Sequence, residues 1–161
     1  MTPVTPFPEK IVSGGQTGVD RAALDVAEAL GLARGGWCPK GRLAEDGTIP
    51  DRYPLAETET AAYEERTRLN VVDADATLVL NWGPLEGGTL LTVETAREMV
   101  RAHRVVQLDR RPDPTETAAW LAAARPRVLN VAGPRESKAP GVGEKAAAFL
   151  RAALMLTRSP S

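Results

Sequence analysis

Cysteine, histidine and aromatic residues are all scarce in this chain of 161 residues. It has one cysteine, Cys38, and one histidine, His103. A single cysteine cannot form an internal disulfide, so we expect a reducing compartment and a cytoplasmic protein. Without a cluster of cysteines and histidines, the usual ligands of zinc are missing, and we expect no metal held by protein ligands.

Charge of one sign and long apolar runs are also missing. The formal net charge is −1 and aromatic residues make up 4% of the chain, which argues against a nucleic-acid partner that would need a basic or base-stacking surface. No apolar run approaches the roughly 20 residues of a membrane-spanning helix, and the start of the chain does not resemble a signal peptide. From the length of the chain we expect one domain over 1–161, with an extended arm at 1–9 and a frayed tail at 158–161.

Strand and helix patterns alternate along the chain. Short apolar runs predict strands at 10–13, 32–37, 76–81, 104–109 and 127–132, and helical spacing predicts helices at 19–30, 58–69, 89–103, 114–125 and 142–157. This alternation is typical of an α/β protein: a Rossmann-like open parallel sheet with helices on both faces. The segment 38–57 is rich in proline and glycine, which predicts a long loop that is either functional or disordered.

A glycine-rich turn follows the first predicted strand and leads into the first helix. It contains Ser13, Gly14, Gly15, Gln16, Thr17 and Gly18. Glycines permit close backbone approach, and the first turn of a helix offers unpaired N–H groups with partial positive charge. The turn is therefore a candidate oxyanion site, although the glycines could equally serve only to make a tight corner.

Two further loops follow predicted strands and carry similar chemistry. One contains Gly87, Gly88 and Thr89 at a helix start, and the other contains Arg135, Ser137 and Lys138. Ligands of an open parallel sheet bind at the carboxyl ends of its strands, where all three loops should meet. The three loops together predict an anionic, nucleotide-like ligand, while a solvated loop is the plainer interpretation of Arg135 and Lys138.

Other polar residues have structural interpretations. Asp20 lies in the first turn of a helix and is predicted to cap it, and His103 is predicted at a helix C-terminus, where its charge would complement the dipole. Asp73 and Asp75 could form a carboxylate pair, but exposed residues before a strand are the simpler expectation. Cys38 is predicted to be a small buried residue.

Several of these segments resemble one known family. Residues 13–24, 35–42, 44–47, 49–50, 87–89 and 130–138 are similar to the molybdenum-cofactor carrier proteins, relatives of the LOG phosphoribohydrolases and DprA proteins. The resemblance implies a Rossmann-like fold and a homo-oligomer, either a dimer or a tetramer. It also implies a circular permutation in which the final strand and its loop replace the first strand of the LOG group.

The resemblance implies less about activity. LOG enzymes carry P-G-G-x-G-T-x-x-E, whose Glu acts at the glycosidic bond, whereas Thr92 stands at that position here and Glu94 lies two residues further on. A carrier without catalysis is therefore expected. It would hold a phosphorylated small ligand beneath the 38–53 loop, either molybdopterin or the molybdenum cofactor built on it, or a nucleotide. The alternative is a nucleotide hydrolase, for which Glu86 is the weak catalytic candidate.

Overall fold

The computed structural model describes residues 7–158. Within that range the strands are β1 (Lys10–Val12), β2 (Ala33–Gly35), β3 (Trp37–Cys38), β4 (Leu43–Ala44), β5 (Gly47–Thr48), β6 (Ala56–Glu57), β7 (Ala76–Asn81), β8 (Ala102–Gln107) and β9 (Val128–Ala132). The helices are α1 (Val19–Ala29), α2 (Tyr63–Asp73), α3 (Gly87–Glu98), α4 (Pro114–Ala124) and α5 (Val142–Arg158), with a short 3₁₀ turn at Leu108–Arg110.

The central sheet confirms the predicted α/β fold. Its order is β2-β1-β9-β7-β8, and every neighbouring pair is parallel. The last strand, β9, lies between β1 and β7, which is the place of the first strand in a 3-2-1-4-5 Rossmann order. The carboxyl ends of β1, β9 and β7 are therefore adjacent, so the three loops that follow them share one edge.

Helices cover both faces of this sheet. Helices α1, α4 and α5 pack together, while α2 packs on α3. Strand β7 is buried along its whole length, because apolar layers lie on both of its sides. The main core joins residues such as Ile11, Leu78 and Leu129 with the inner faces of α1 and α5.

The segment 38–57 is more ordered than the sequence predicts. It contains the β4–β5 hairpin and strand β6, which pairs with β3. A second small core of Leu24, Cys38, Ile49 and Tyr53 fixes it to α1. The buried position predicted for Cys38 is confirmed, and burial raises the pKa of its thiol.

Some element boundaries differ from the prediction. The helix predicted at 58–69 begins only at Tyr63, as α2, and the Thr58 hydroxyl donates to the carbonyl of Thr60. Helix α3 ends at Glu98, so the prediction for His103 is wrong: it lies in β8. Helix α5 includes Arg158, the first residue of the predicted tail.

Three acidic side chains near the ends of helices and strands make structural contacts. Asp113 caps α4 and accepts from the Thr115 amide at 2.9 Å. Asp75 accepts from the amides of Arg127 and Val128, and Asp73 from the indole of Trp37, so the two carboxylates serve structural contacts. Of the predicted arm, Phe7 packs on the main core, and residues 1–6 and 159–161 lie outside the described range.

Candidate functional site

A cleft of about 150 Å³ opens at the carboxyl edge of the sheet. Its walls come from the N-terminal turns of α1, α2 and α3, the end of β7, and the loop 132–138 that follows β9. Neighbouring parallel strands bring these segments together although they are far apart in sequence. The cleft therefore lies where the fold predicts a ligand.

The N-terminus of α3 forms the open floor of this cleft. Glu86 precedes the helix in extended conformation, no side chain caps it, and its first turn holds no acidic residue. The first amides of a helix have no partner inside the helix, so those of Gly87, Gly88 and Thr89 are available to an oxyanion. A Cβ built on Gly88 meets nothing within 4 Å, so there is room for further atoms at this position.

Three cationic side chains border the same space. Arg135 and Lys138 reach it from the loop after β9, and Arg66 reaches it from α2. Nη1 of Arg66 lies 3.1 Å from Oδ2 of Asp20, and its buried Nε has no hydrogen-bond partner among the described residues. A guanidinium with an unused donor can bind a further acceptor on a ligand.

Asp20 is a buried carboxylate behind the cleft. It is 3% exposed and accepts from the Gln16 amide at 3.2 Å as well as from Arg66. Burial raises the pKa of Asp20, and the charge of Arg66 opposes that rise only in part. The prediction that Asp20 caps α1 is wrong, because its carboxylate binds the turn before the helix and a distant arginine instead.

The glycine turn after β1 is filled by the protein itself. The Ser13 hydroxyl donates to the Asp20 carbonyl at 2.8 Å. A Cβ on Gly14 would meet Arg66, one on Gly15 would meet Leu55 and Ile49, and one on Gly18 would meet the backbone of 134–136. These glycines therefore permit close packing around the turn.

The predicted site residues fall into two groups. Those that line the cleft are Gln16, Gly87, Gly88, Thr89, Arg135 and Lys138, with the catalytic candidate Glu86 at the rim. Those that do not line it are Ser13, Gly14, Gly15, Thr17, Gly18 and Ser137. Thr17 and Ser137 instead bind the carboxylate of Glu45 on the β4–β5 hairpin. No residue of 38–57 lines the cleft, so this loop does not cover it here.

The sequence analysis does not identify Tyr63, Arg66, Asn81 and Trp82 as residues of the site. Tyr63 is half-exposed on the cleft. Trp82 lines it from the segment after β7, with the Lys145 ammonium 5.6 Å from its ring centroid. A signal for Arg66 was present. Arg66, Thr67 and Asn70 place polar groups on the inward side of α2, where an ordinary surface helix has apolar residues.

Metal sites and membrane-spanning helices are both absent from residues 7–158. No group of three or more His, Cys, Asp or Glu side chains is arranged to hold a metal ion. None of the helices in that range is long and apolar enough to cross a membrane.

The fold and the cleft define a class: Rossmann-like α/β proteins with a ligand-sized cleft at the carboxyl edge of a parallel sheet. Residues 11–154 match the circularly permutated YpsA SLOG family, and the chain belongs to that family. The permutation implied by the sequence agrees with the central position of β9.

A solved structure supports the same assignment. The chain resembles the crystal structure of a "Putative molybdenum carrier protein" from Syntrophus aciditrophicus SB, with 42% identity, a TM-score of 0.88, and coverage of 92% of this chain and 96% of that one. A search of curated proteins finds no match.

Proposed function

We propose that this chain is a carrier that binds a phosphate-bearing small molecule in the cleft, with the phosphate at the N-terminus of α3. The observation that carries the proposal is that the helix N-termini along this edge differ in whether a carboxylate of the protein is bound beside them. Asp20 accepts from the turn before α1, and Glu136 accepts from the amides of Gly141 and Gly143 at the start of α5. The start of α3 has no such carboxylate partner, although it faces the cleft.

The charge of the cleft supports an anionic ligand. Arg135 and Lys138 line the cleft together with the first residues of α3, and the buried carboxylate on the cleft, Asp20, is paired with Arg66. The exposed Glu86 is the other carboxylate on the cleft, so cations outnumber carboxylates there. Helix amides bind phosphate well because the backbone fixes their direction, and the cations add electrostatic attraction.

The remainder of the ligand is proposed to be a flat ring system. Tyr63 and Trp82 present half-exposed aromatic rings to the cleft, and aromatic faces bind planar heterocycles by stacking. The pterin of the molybdenum cofactor and the base of a nucleotide both fit this description. The name of the similar Syntrophus protein favours the former, and the physics of the cleft allows both.

We also propose that the chain acts in the cytoplasm as a homo-oligomer, a dimer or a tetramer. Apolar side chains are exposed at the C-terminal ends of α3 and α5, among them Met99 and Leu156. Such side chains are covered when copies associate. Light scattering over a range of concentrations measures the mass directly, and a monomer at all concentrations would contradict this part.

A second candidate function is the hydrolysis of a nucleotide, favoured by the position of Glu86 on the cleft. At the position of the LOG catalytic Glu, the Thr92 hydroxyl donates to the carbonyl of Gly88, and Glu94 does not line the cleft. Glu86 is therefore the group to test. Release of free base from nucleoside monophosphates, abolished in Glu86→Gln, would support the enzyme over the carrier.

The decisive test of the carrier uses Gly88→Asp with Gly88→Asn as its matched control. A carboxylate in the first turn of a helix stabilises the helix by about 0.3–1 kcal/mol, yet here it would occupy the phosphate position. We expect calorimetry to show at least about tenfold weaker binding of adenosine 5′-monophosphate by Gly88→Asp, with thermal stability unchanged or higher.

The control separates charge from size. Gly88→Asn adds a side chain of the same shape without the charge, so it should lose less affinity than Gly88→Asp. If wild type and Gly88→Asp bound adenosine 5′-monophosphate with equal affinity, the proposed position of the phosphate at the N-terminus of α3 would be wrong. Mass spectrometry of the molecule that co-purifies with the native protein would then identify the ligand directly.

A further inference from the structure

The β4–β5 hairpin places a carboxylate among donors beside the cleft. Glu45 accepts hydrogen bonds from the hydroxyls of Thr17 and Ser137, and from the Ser137 amide at 3.2 Å. Partial burial alone would raise the pKa of Glu45, but these hydrogen bonds and the charge of Arg135 outweigh it and lower the pKa. The carboxylate is thus held in a small set of donors that suits an oxyanion.

Two residues connect this position to the cleft. Gln16 lines the cleft, and its side-chain amide donates to the Leu43 carbonyl at 3.0 Å and accepts from the Glu45 amide at 3.3 Å. Arg135 lines the cleft as well and acts electrostatically on Glu45. A ligand that reorients Gln16 or Arg135 therefore changes the contacts of the hairpin.

A second ion pair holds the hairpin from its other side. Arg21 on α1 binds Asp46 through both terminal nitrogens, at 2.6 and 2.8 Å, and its Nε donates to the Gly15 carbonyl at 3.0 Å. Asp46 is half-exposed, and exposed ion pairs contribute little to stability. The tip of the hairpin, residues 45–46, is therefore attached by polar contacts that an anionic ligand can replace at low cost, while the small core around Ile49 holds the rest of the segment.

We propose that Glu45 is an internal competitor: its carboxylate occupies an oxyanion subsite formed by Thr17, Ser137 and Arg135, and an anionic group of the ligand replaces it when the hairpin moves away. This inference rests on the proposed function, because it concerns the same ligand and an adjoining part of the same cleft. It also gives a role to Thr17 and Ser137, which do not line the cleft while Glu45 is in place.

Competition of this kind lowers the apparent affinity. A ligand that binds only the open form has its dissociation constant divided by the fraction of open molecules. Removing the charge of Glu45 should therefore tighten binding. We expect Glu45→Gln to bind adenosine 5′-monophosphate about three- to tenfold more tightly than wild type in calorimetry.

Glu57→Gln is the matched control. Glu57 lies in the same segment and accepts from the Gly41 amide at 2.7 Å, with no contact to Thr17 or Ser137. The Glu57→Gln variant loses the same charge at a different place, so its affinity for adenosine 5′-monophosphate should equal that of wild type. An equal gain in both variants would show a general charge effect and overturn the proposal.

Amide hydrogen exchange gives a readout that does not depend on affinity. When the probe binds wild type, the Glu45 amide should exchange faster, because it leaves Gln16, while the Ser137 amide should stay protected by the incoming anion. Binding without faster exchange at Glu45 would overturn this inference and leave the proposed function intact. If neither wild type nor Glu45→Gln binds this probe or inorganic phosphate, the proposed function itself fails.

Discussion

Two strand–turn–helix units of this molecule look alike in sequence and differ in structure. The first is β1 with the turn 13–18 and α1, and the second is β7 with the turn 82–86 and α3. Both turns contain glycine and both open at the same edge of the sheet. In the first, Asp20 binds the Gln16 amide, and Ile49 and Leu55 pack on Gly15. In the second, nothing contacts the position of a Cβ on Gly88.

This difference shows that a glycine turn can serve two purposes, and the local sequence does not distinguish between them. Glycine permits the close approach of another part of the same protein, and it equally permits the approach of a ligand. Which one occurs depends on what the rest of the chain brings to the turn. Here the segment 38–57 and Arg66 pack against the first turn. The second turn lies at the rim of the cleft and is open to it.

The largest expected effect concerns the buried ion pair of the first unit. Asp20→Asn should lower the free energy of unfolding by about 3 kcal/mol, because it leaves the charge of Arg66 without its buried partner. Urea denaturation measures the change. The side chain of Arg66 is 15% exposed, so water can compensate only in part.

Asp46→Asn is the control for this prediction. It breaks the exposed pair between Arg21 and Asp46, whose contribution should be at most about 1 kcal/mol. Equal losses in Asp20→Asn and Asp46→Asn would mean that the first turn is not held by a buried charge. The distinction between the two units would then rest on packing alone.

The next effect compares one glycine from each unit. Gly18 has φ +79, and a Cβ there would lie 2.5 Å from the Pro134 carbonyl oxygen and 2.8 Å from the Glu136 nitrogen. Backbone strain and a clash with backbone atoms should cost Gly18→Ala about 2–3 kcal/mol. Gly88→Ala should be neutral or more stable by up to about 1 kcal/mol, since alanine favours helix over glycine and has room there.

Thermal unfolding of both variants provides the measurement. A stable Gly18→Ala protein would show that the loop 133–138 can move away from α1, which the close packing argues against. A destabilised Gly88→Ala protein would show that the open floor of the cleft is occupied by something that the described residues do not include.

The sequence predicts the fold well and the site in part. Buried strands such as 76–81 leave a strong apolar signal, and the parallel order follows from alternation with helices. The placement of Gly15 and Thr17 could not be predicted, because it depends on the segment 38–57, whose short strands and polar contacts have no periodic signal. Arg66 was missed because it enters the site from the side of α2, not from a loop at a strand end.

The smallest effect compares the ends of the two helices. After α1, the Gly31 amide donates to the Glu28 carbonyl and the Leu32 amide to the Ala27 carbonyl, with Gly31 at φ +72. After α3, the amides of Val100 and Arg101 donate to Arg97 and Ala96 in the same pattern, with Val100 at φ +53. This helix end favours glycine at the left-handed position, and a β-branched residue is strained there.

Val100→Gly should therefore stabilise the protein by about 0.5–1 kcal/mol and raise Tm by about 1–4 °C. Val100 is 90% exposed, so its removal sacrifices little packing, and the gain is reduced only by the extra freedom of glycine in the unfolded chain. Gly31→Val is the reciprocal variant: a Cβ there meets nothing within 4 Å, so it should lose stability through backbone strain alone. Opposite signs in the two variants would show that the helix ends obey one rule although the helix starts do not. A loss of stability in Val100→Gly would contradict this prediction and would mean that the valine side chain packs against another molecule in solution.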